Sequence, residues 1–182
     1  GVNTSDQEVN IKIALGPLVQ RGSLAREERD RLLVDMTEDV AKAVLANNHM
    51  QSLALSLGER RGLADLGFQQ RLMLALEAER ELDRGQAALP SDGELMERMS
   101  AGRPLTRPEL AVLLSHAKIS LLRDLLESRV PDEPVLEPLL VGYFPPLMRE
   151  RFREAILAHP LRREIVATGL TNAIVNRGGS SM

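Results

Sequence analysis

Residues 105–126 read LTRPELAVLLSHAKISLLRDLL, and this stretch decides the fold class. Thr106 and Glu109 have the spacing of a capping box, in which two side chains bond reciprocally to backbone N–H groups at a helix start. Pro108 is tolerated between them because the N–H groups of a first helical turn have no partner inside the helix. The apolar residues that follow recur every three or four positions: Leu110, Leu113, Leu114, Ala117, Leu121 and Leu125. They share one face of a helix, and the pattern predicts that this face is buried.

A second capping-box pattern lies near the start of the chain, at Ser5 and Glu8. The residues after it are ambiguous, because apolar and other residues alternate from Val9 to Leu15. Alternation with a period of two favours a strand, whereas the cap favours a helix. We interpret the segment as a helix that Gly16-Pro17 interrupts, with an edge strand over residues 9–15 as the alternative.

Helix-start residues and apolar spacing predict further helices between these two patterns. Ser23 is expected to cap a short helix from Leu24 to Leu33, and Thr37 is expected to cap a longer one. The inner stripe of the longer helix reads Val40, Ala43, Val44, Asn47, Gln51 and Ala54. The next helical face reads Phe68, Leu72, Ala75 and Leu76. The stretches Ala87–Gly93 and Pro131–Pro134 are predicted to be loops or hinges.

The last part of the chain is also predicted to be helical. One face reads Met148, Phe152, Ala155 and Ile156, and the final helix is expected to start at Pro160. We expect Leu161, Ile165 and Val175 on that final helix to be buried, in this domain or against another part of a longer polypeptide. The sequence therefore predicts an all-α fold, an irregular multi-helix bundle of about seven helices.

Composition excludes several classes of function. The 182 residues suit one compact domain or two small helical ones, and the chain has no cysteine for a disulfide, a Cys-ligated zinc site or thiol catalysis. Aromatic residues make up 2% and the net charge is −3, so neither nucleic acid nor a membrane is an expected partner. No transmembrane-length apolar run and no signal peptide occur, which predicts a cytoplasmic protein. The chain opens at Gly1 instead of methionine, and we expect it to be part of a longer polypeptide.

Few polar residues have the spacing of a catalytic or metal site. No two of the histidines, His49, His116 and His159, are four residues apart as in a helical zinc site, so we interpret them as surface or capping residues. No Gly-rich phosphate-binding loop occurs, so no catalytic, cofactor-binding or metal residue is predicted. Asn47, Asn48 and Gln51 lie on or near an inner helix face. They are expected to clamp a neighbouring loop or, less commonly, to bind a ligand.

Four blocks of this chain resemble the large NAD-specific glutamate dehydrogenases of bacteria. They are residues 1–13 (GVNTSDQEVNIKI), 105–114 (LTRPELAVLL), 143–145 (YFP) and 159–166 (HPLRREIV), and they occur in the order found in that family. Together with Asn176-Arg177-Gly178 they are spread over nearly the whole length of the chain, so the resemblance extends from its first residue to residue 178. The resemblance implies a parent enzyme that oxidises L-glutamate with NAD to 2-oxoglutarate, ammonia and NADH. It also implies that the catalytic lysine, the catalytic aspartate and the dinucleotide-binding fold precede Gly1, so that this fragment alone binds no NAD and is inactive.

The resemblance also implies one substrate-binding residue. Glutamate dehydrogenases carry a Gly-Val-x-x-Ser-x-x-Glu run whose serine contacts the distal carboxylate of glutamate. Residues 1–8 fit that run, and Ser5 is the matching serine. Free N–H groups at a helix start favour a carboxylate there. This chain has Asp6-Gln7 and Val9 where the smaller enzymes carry aromatic residues, so the local packing is expected to differ.

Three roles are compatible with this sequence. The first is a non-catalytic helical portion that braces the catalytic region of the same polypeptide, in a parent that is a homo-oligomer. The second is a regulatory effector-binding or subunit-interaction module, and the third, supported by composition alone, is a free-standing helical adaptor. Under the first role we expect residues 1–22 to be the exit segment of the catalytic region. Residues 23–130 and 131–182 are then the first and second parts of a helical domain.

Overall fold

The computed structural model describes residues 4–179, and every regular element in that range is helical. The α-helices are α1 (Thr4–Gln20), α2 (Arg26–Asp35), α3 (Thr37–Arg61), α4 (Leu63–Ala78), α5 (Asp92–Ser100), α6 (Arg107–Glu127), α7 (Glu137–Tyr143), α8 (Pro146–Arg151), α9 (Arg153–Leu157) and α10 (Arg162–Gly178). Two 3-10 turns, Val130–Asp132 and Pro134–Leu136, join α6 to α7. The predicted all-α class is confirmed. No helix within residues 4–179 is both long and apolar enough to cross a membrane.

The residues form two compact units. The first unit contains the chain up to His49 together with Ser128–Gly169, and the second contains Met50–Glu127 together with the chain from Leu170. The largest core residues of the first unit are Ile11, Leu15, Leu32, Met36, Leu140, Phe144, Met148 and Ile156. Helices from both ends of its sequence therefore share one core, and their burial contributes about 1.5–3 kcal/mol for each large side chain.

The core of the second unit is built by α4, α5 and α6. Its buried residues include Leu66, Met73, Leu76, Leu95, Leu110 and Leu113, with Leu82 and Leu89 from the loop between α4 and α5. Leu110 and Leu113 of the stripe predicted on α6 lie in this core. All members of the stripe are buried except Leu121, which is half-buried. The start of α6 also follows the prediction, since the Glu109 carboxylate accepts hydrogen bonds from the Thr106 backbone N–H (2.7 Å) and hydroxyl (2.8 Å).

The first helix does not break at Gly16-Pro17. α1 continues through Pro17 to Gln20, so the predicted interruption is wrong, and the strand alternative over residues 9–15 is excluded. The fixed φ of proline suits a helix, and its ring costs one hydrogen bond to the carbonyl four residues earlier. Ala14 and Leu15 are buried in the core of the first unit just before Pro17, and this packing offsets the lost bond.

Two predicted caps are wrong. Ser23 Oγ donates to the Leu18 carbonyl (3.0 Å), and α2 starts at Arg26 after Ala25, which makes no side-chain cap. Thr37 Oγ1 donates to the Leu33 carbonyl (3.1 Å), and Thr37 is already helical. Serine and threonine hydroxyls bond to carbonyls four or five residues back as readily as to N–H groups ahead, so their identity does not fix a helix start.

Three other predictions differ from the structure in which residues are buried or where a helix starts. Phe68 is 48% exposed, because the buried face of α4 carries Leu66, Met73 and Leu76 instead. Helix α5 starts inside the predicted loop Ala87–Gly93, after a complete capping box between Ser91 and Glu94 that the sequence analysis overlooked. The last helix starts at Arg162 instead of Pro160, and Leu161 is 41% exposed, whereas Ile165 and Val175 are buried as predicted.

Candidate functional site

The predicted substrate-binding serine lies at the start of α1. The helix begins at Thr4, one residue before Ser5, and the Ser5 side chain is exposed. The Glu8 carboxylate forms an ion pair with Lys12 at 2.5 Å, one helical turn along. Ser5 is therefore placed on an exposed first helical turn, where a side-chain hydroxyl and a helix dipole both act on an approaching anion.

A set of polar side chains fastens the next turn of α1 to the chain more than 130 residues later. Asn10 Nδ2 donates to the Tyr143 hydroxyl at 2.9 Å and to the Asp6 carbonyl at 3.1 Å. Gln7 Nε2 donates to the Tyr143 carbonyl at 3.4 Å. The Tyr143 ring packs edge-on against Phe144, with the ring centroids 5.1 Å apart. Burial raises the pKa of the Tyr143 hydroxyl, and the bond from Asn10 only partly offsets this effect.

His159 completes this set and is almost fully buried, with 1% of its surface exposed. Its Nδ1 accepts from the Leu161 backbone N–H at 3.1 Å, so that nitrogen carries no proton. Its Nε2 therefore carries the proton and donates to the Asn10 carbonyl at 3.1 Å, which assigns the tautomer from the bonding pattern. Burial lowers the pKa of His159, and the bond to Asn10 opposes this only in part. The predicted surface position is therefore wrong for His159, whose ring bonds to two backbone groups outside the helices' own hydrogen bonds.

The other two histidines lie apart from this set. His49 is exposed, and His116, in the second unit, is half-buried with Nδ1 2.8 Å from the Glu81 carbonyl. A carbonyl oxygen only accepts, so His116 Nδ1 carries a proton. Across residues 4–179, no three His, Cys, Asp or Glu side chains are grouped to hold a metal ion.

The second unit contains ion pairs between residues close in the sequence and others, such as Arg123 with Glu81, between residues more than 40 positions apart. Arg84, whose side chain is 11% exposed, bonds to Glu77 at 2.7 Å and to Asp92 at 2.9 Å. These bonds from Arg84 lower the pKa values of Glu77 and Asp92. Arg98 holds both oxygens of Glu109 at 2.8 and 2.9 Å. Burial raises the pKa of Glu109, but the bonds from Arg98 and Thr106 outweigh it and the pKa lies below its ordinary value.

The three α3 residues that were expected to clamp a loop differ in exposure and in the unit to which they belong. Asn48 is exposed and Asn47 is half-buried in the first unit, whereas Gln51 belongs to the second. Gln51 Nε2 is buried, and no acceptor bonds to it within the described chain. It lines a cavity of about 160 Å³ in the second unit that also contains Lys118. The predicted loop clamp is therefore not found at Gln51.

The chain is similar to known proteins over nearly its whole length. Residues 1–58 match the family profile described as "Bacterial NAD-glutamate dehydrogenase, catalytic domain", and residues 102–182 match the one described as "Glutamate dehydrogenase, C-terminal". The NAD-specific glutamate dehydrogenase of Pseudomonas aeruginosa is 49% identical over 179 residues, that of Halomonas elongata 44% and that of Mycobacterium tuberculosis 42%. Each comparison covers 98% of this chain and 11% of the relative's length. This chain belongs to the family of bacterial NAD-specific glutamate dehydrogenases, as a segment that spans the two profiles.

The first unit joins parts of both profiles. Asn10 lies in the part matched by the catalytic-domain profile, and Tyr143 and His159 lie in the part matched by the C-terminal profile. The sequence analysis quoted both short blocks that contain Tyr143 and His159 but assigned neither residue a contact with α1. One signal was available, because Tyr143 is the single tyrosine of the chain and stands beside Phe144 in an otherwise apolar stretch. A buried tyrosine hydroxyl needs a hydrogen-bond partner.

Proposed function

We propose that this chain braces the catalytic region of an NAD-specific glutamate dehydrogenase without itself performing chemistry. The whole enzyme oxidises L-glutamate with NAD to 2-oxoglutarate, ammonia and NADH. In this proposal the catalytic lysine, the catalytic aspartate and the dinucleotide-binding fold belong to other parts of the polypeptide, and this chain binds no NAD by itself. The names of the relatives support the reaction, since each is called an NAD-specific glutamate dehydrogenase.

The observation that carries the bracing role is the bonding of Asn10. Its side chain bonds to the Tyr143 hydroxyl, and its carbonyl accepts from His159, so one residue of α1 is held at two points by the C-terminal segment. Each bond contributes about 0.5–1.5 kcal/mol, and together they restrict rotation and sliding of α1. A helix fixed in this way presents its first turn in a constant position.

In this proposal the bracing of α1 holds the Ser5 side chain in a constant position. We assign its hydroxyl as a contact to the distal carboxylate of glutamate, because residues 1–8 fit the family's Gly-Val-x-x-Ser-x-x-Glu run and Ser5 is exposed on the first turn of α1. The contact requires α1 to hold a constant position, since a displacement of about 1 Å at a substrate-positioning group costs on the order of a hundredfold in rate.

The bracing role is tested by Asn10→Ala in the full-length enzyme. Loss of the bonds to Tyr143 and Asp6 should raise the KM for glutamate and leave the KM for NAD nearly unchanged, because α1 becomes less well positioned. Asn48→Ala is the matched control, an exposed asparagine of α3. If Asn10→Ala lowers the melting temperature but leaves glutamate kinetics as in the wild type, the residue is only structural and the bracing role is wrong.

The role of Ser5 is tested separately. Ser5→Ala should weaken glutamate binding by about 1.5–3 kcal/mol, the value of one hydrogen bond to a charged group. Ser5→Asn distinguishes this loss from an effect on the first turn of α1, because asparagine keeps a short polar side chain there, whereas its bulk and altered geometry do not preserve a close contact with a carboxylate. Wild-type glutamate kinetics in Ser5→Asn would show that the hydroxyl does not contact the substrate.

Further contacts with the rest of the polypeptide belong to the same proposal. Met50, Leu53 and Leu57 are each 40% exposed and lie three or four residues apart on α3, so they form an apolar stripe suited to packing against another part of the protein. Assembly into a homo-oligomer and a cytoplasmic location stay predictions. So does the division into residues 1–22, 23–130 and 131–182.

A further inference from the structure

Lys118 differs from the other two lysines of the chain. Lys12 pairs with Glu8 at 2.5 Å and Lys42 pairs with Glu38 at 2.9 Å, each across one helical turn. Lys118 has no ion pair in the part of the chain that the structure describes, and the residues three and four positions away from it are leucines and Ser115. Its ammonium group is nevertheless half-buried.

The Lys118 side chain lines a cavity of about 160 Å³ that lies wholly within the second unit. The apolar part of the wall includes Leu55, Leu114 and Val175, from three different helices. Lys118 is the single ionisable residue among the lining residues, so no carboxylate of the cavity wall neutralises it. A charge in such a position is costly unless an anion accompanies it.

A second polar group in the wall also has no partner. Gln51 Nε2 is buried and donates to no acceptor among residues 4–179. Ser115 lines the cavity as well, but its hydroxyl proton is already bonded to the Ala111 carbonyl at 2.8 Å. The side-chain donors left for a ligand are therefore the Lys118 ammonium, the Gln51 amide and the amide of Asn176, which also lines the cavity. The buried Gln51 N–H groups and the charged Lys118 call most strongly for an acceptor.

We propose that this cavity is a binding site for a small monocarboxylate with a short apolar chain and about four carbons in all, including the carboxylate carbon. The carboxylate accepts from Lys118 and Gln51, and the chain lies against Leu55, Leu114 and Val175. The size follows from the volume, since a cavity of about 150 Å³ admits a molecule of six carbon atoms such as benzene. Butyrate also has six non-hydrogen atoms.

The wall disfavours other anions. A phosphate carries about two negative charges at neutral pH against the single cation of the wall, and the apolar side of the cavity offers no donor to the oxygens that face it. A dinucleotide exceeds the volume several times. Burial lowers the pKa of Lys118, which is the direction expected for an ammonium that has lost water and gained no anion. A bound carboxylate would reverse that effect, so the reactivity of Lys118 reports on occupancy.

The experiment is lysine acetylation with acetic anhydride in the full-length protein, measured for each lysine by mass spectrometry of peptides. The reagent attacks the neutral amine, so Lys12 and Lys42 in the same digest serve as internal controls. We expect butyrate at millimolar concentration to slow acetylation of Lys118 at least threefold and to leave Lys12 and Lys42 unchanged. Butanol, which has the chain without the charge, and inorganic phosphate should protect much less.

Two variants make the test specific. Gln51→Leu should reduce the protection of Lys118 by butyrate. Butyrate should also raise the melting temperature of the wild type and of Lys42→Met but not that of Lys118→Met. Equal protection by phosphate, or no protection of Lys118, overturns the proposal. Slow acetylation of Lys118 without any ligand also overturns it, because another segment of the polypeptide would then occupy the cavity. The acetylation and melting results do not depend on the glutamate kinetics of the Asn10 and Ser5 variants. The cavity proposal and the proposed function can therefore fail separately.

Discussion

The two units satisfy their buried polar groups in different ways. In the first unit, Asn10, Tyr143 and His159 join positions more than 130 residues apart through neutral hydrogen bonds. In the second unit, Arg84 bonds to carboxylates only seven and eight residues away, and Arg98 to one eleven residues away. The first pattern fixes distant segments to each other, whereas the Arg84 and Arg98 pairs act within a short stretch of chain, beside longer-range pairs such as Arg107 with Glu59. The bracing that we propose therefore rests on the hydrogen bonds of the first unit.

The two units also differ in their unpaired donors, although the first unit keeps one buried acceptor, Gln7 Oε1, without a partner among the described residues. The imidazole of His159 uses both of its nitrogen atoms for hydrogen bonds. In the second unit, Gln51 Nε2 and the ammonium of Lys118 face one cavity without a partner among the described residues. Unsatisfied buried donors cost stability, so a protein that keeps them in a cavity is suited to receiving a ligand there.

The largest effect should come from breaking the apolar core of the first unit. Ile165→Ala should lower the free energy of unfolding by about 2–5 kcal/mol, because Ile165 is 6% exposed and truncation leaves a cavity. Ile174→Ala on the same helix is the control, since Ile174 is 38% exposed and should cost about 1 kcal/mol or less. Urea denaturation followed by circular dichroism measures both. Similar losses for the two variants would contradict the assignment of Ile165 to the core.

An intermediate effect is expected from breaking the charge cluster of the second unit. Arg84→Met should cost about 1.5–3 kcal/mol at neutral pH, because Glu77 and Asp92 lose their hydrogen bonds to a charged donor. Arg103→Met, at an exposed arginine, should have little effect.

The pH dependence of the same variant sharpens the prediction. Arg84 lowers the pKa values of Glu77 and Asp92 in the folded state, so the stabilisation is complete above their unfolded values of about 4 and is lost as the pH falls further. Arg84→Met should therefore lose less stability than the wild type between pH 5 and the acid transition. Parallel acid-denaturation curves for the two proteins would show that the cluster contributes nothing.

The smallest effect should come from His159. His159→Asn keeps an acceptor for the Leu161 N–H but removes the bond to the Asn10 carbonyl, a loss of about 0.5–1.5 kcal/mol at pH 7.5. Burial lowers the pKa of His159 in the folded state, so its contribution is complete above about 6.5 and decreases as the pH falls below that value.

The asparagine variant should therefore depend less on pH between 7 and 5 than the wild type. Thermal melts at several pH values measure the difference, and His49→Asn at an exposed position is the control. If the wild type and His159→Asn lose stability equally over that range, His159 is not the neutral, buried group that its two hydrogen bonds require.

Much of the fold was predictable because helix starts and apolar helix faces depend on residues that are close together in the sequence. The stripe from Leu110 to Leu125 and the bond between Thr106 and Glu109 were read directly from spacing, and both are present. Predictions that depended on a single residue were less secure. Pro17 was expected to end α1, yet the helix continues, because packing of Ala14 and Leu15 outweighs the loss of one hydrogen bond.

The candidate site was predictable in part. Ser5 was identified through the family's sequence run, and the structure places it on an exposed first turn, whereas its contact with substrate stays a prediction. Asn10, Tyr143 and His159 were not linked in advance. Each is unremarkable in its own segment, and their relation exists only once α1, the end of α7 and the start of α10 share one unit.

The sequence by itself determined the all-helical class, the family and the positions of the strongest helices. These depend on residue types and on spacings of three or four, which act within one or two helical turns. The tertiary structure alone decided which buried polar groups find partners, because that depends on segments separated by many residues. It joined Asn10 to Tyr143 and His159, and within residues 4–179 it left Lys118 and Gln51 Nε2 without a partner at one cavity.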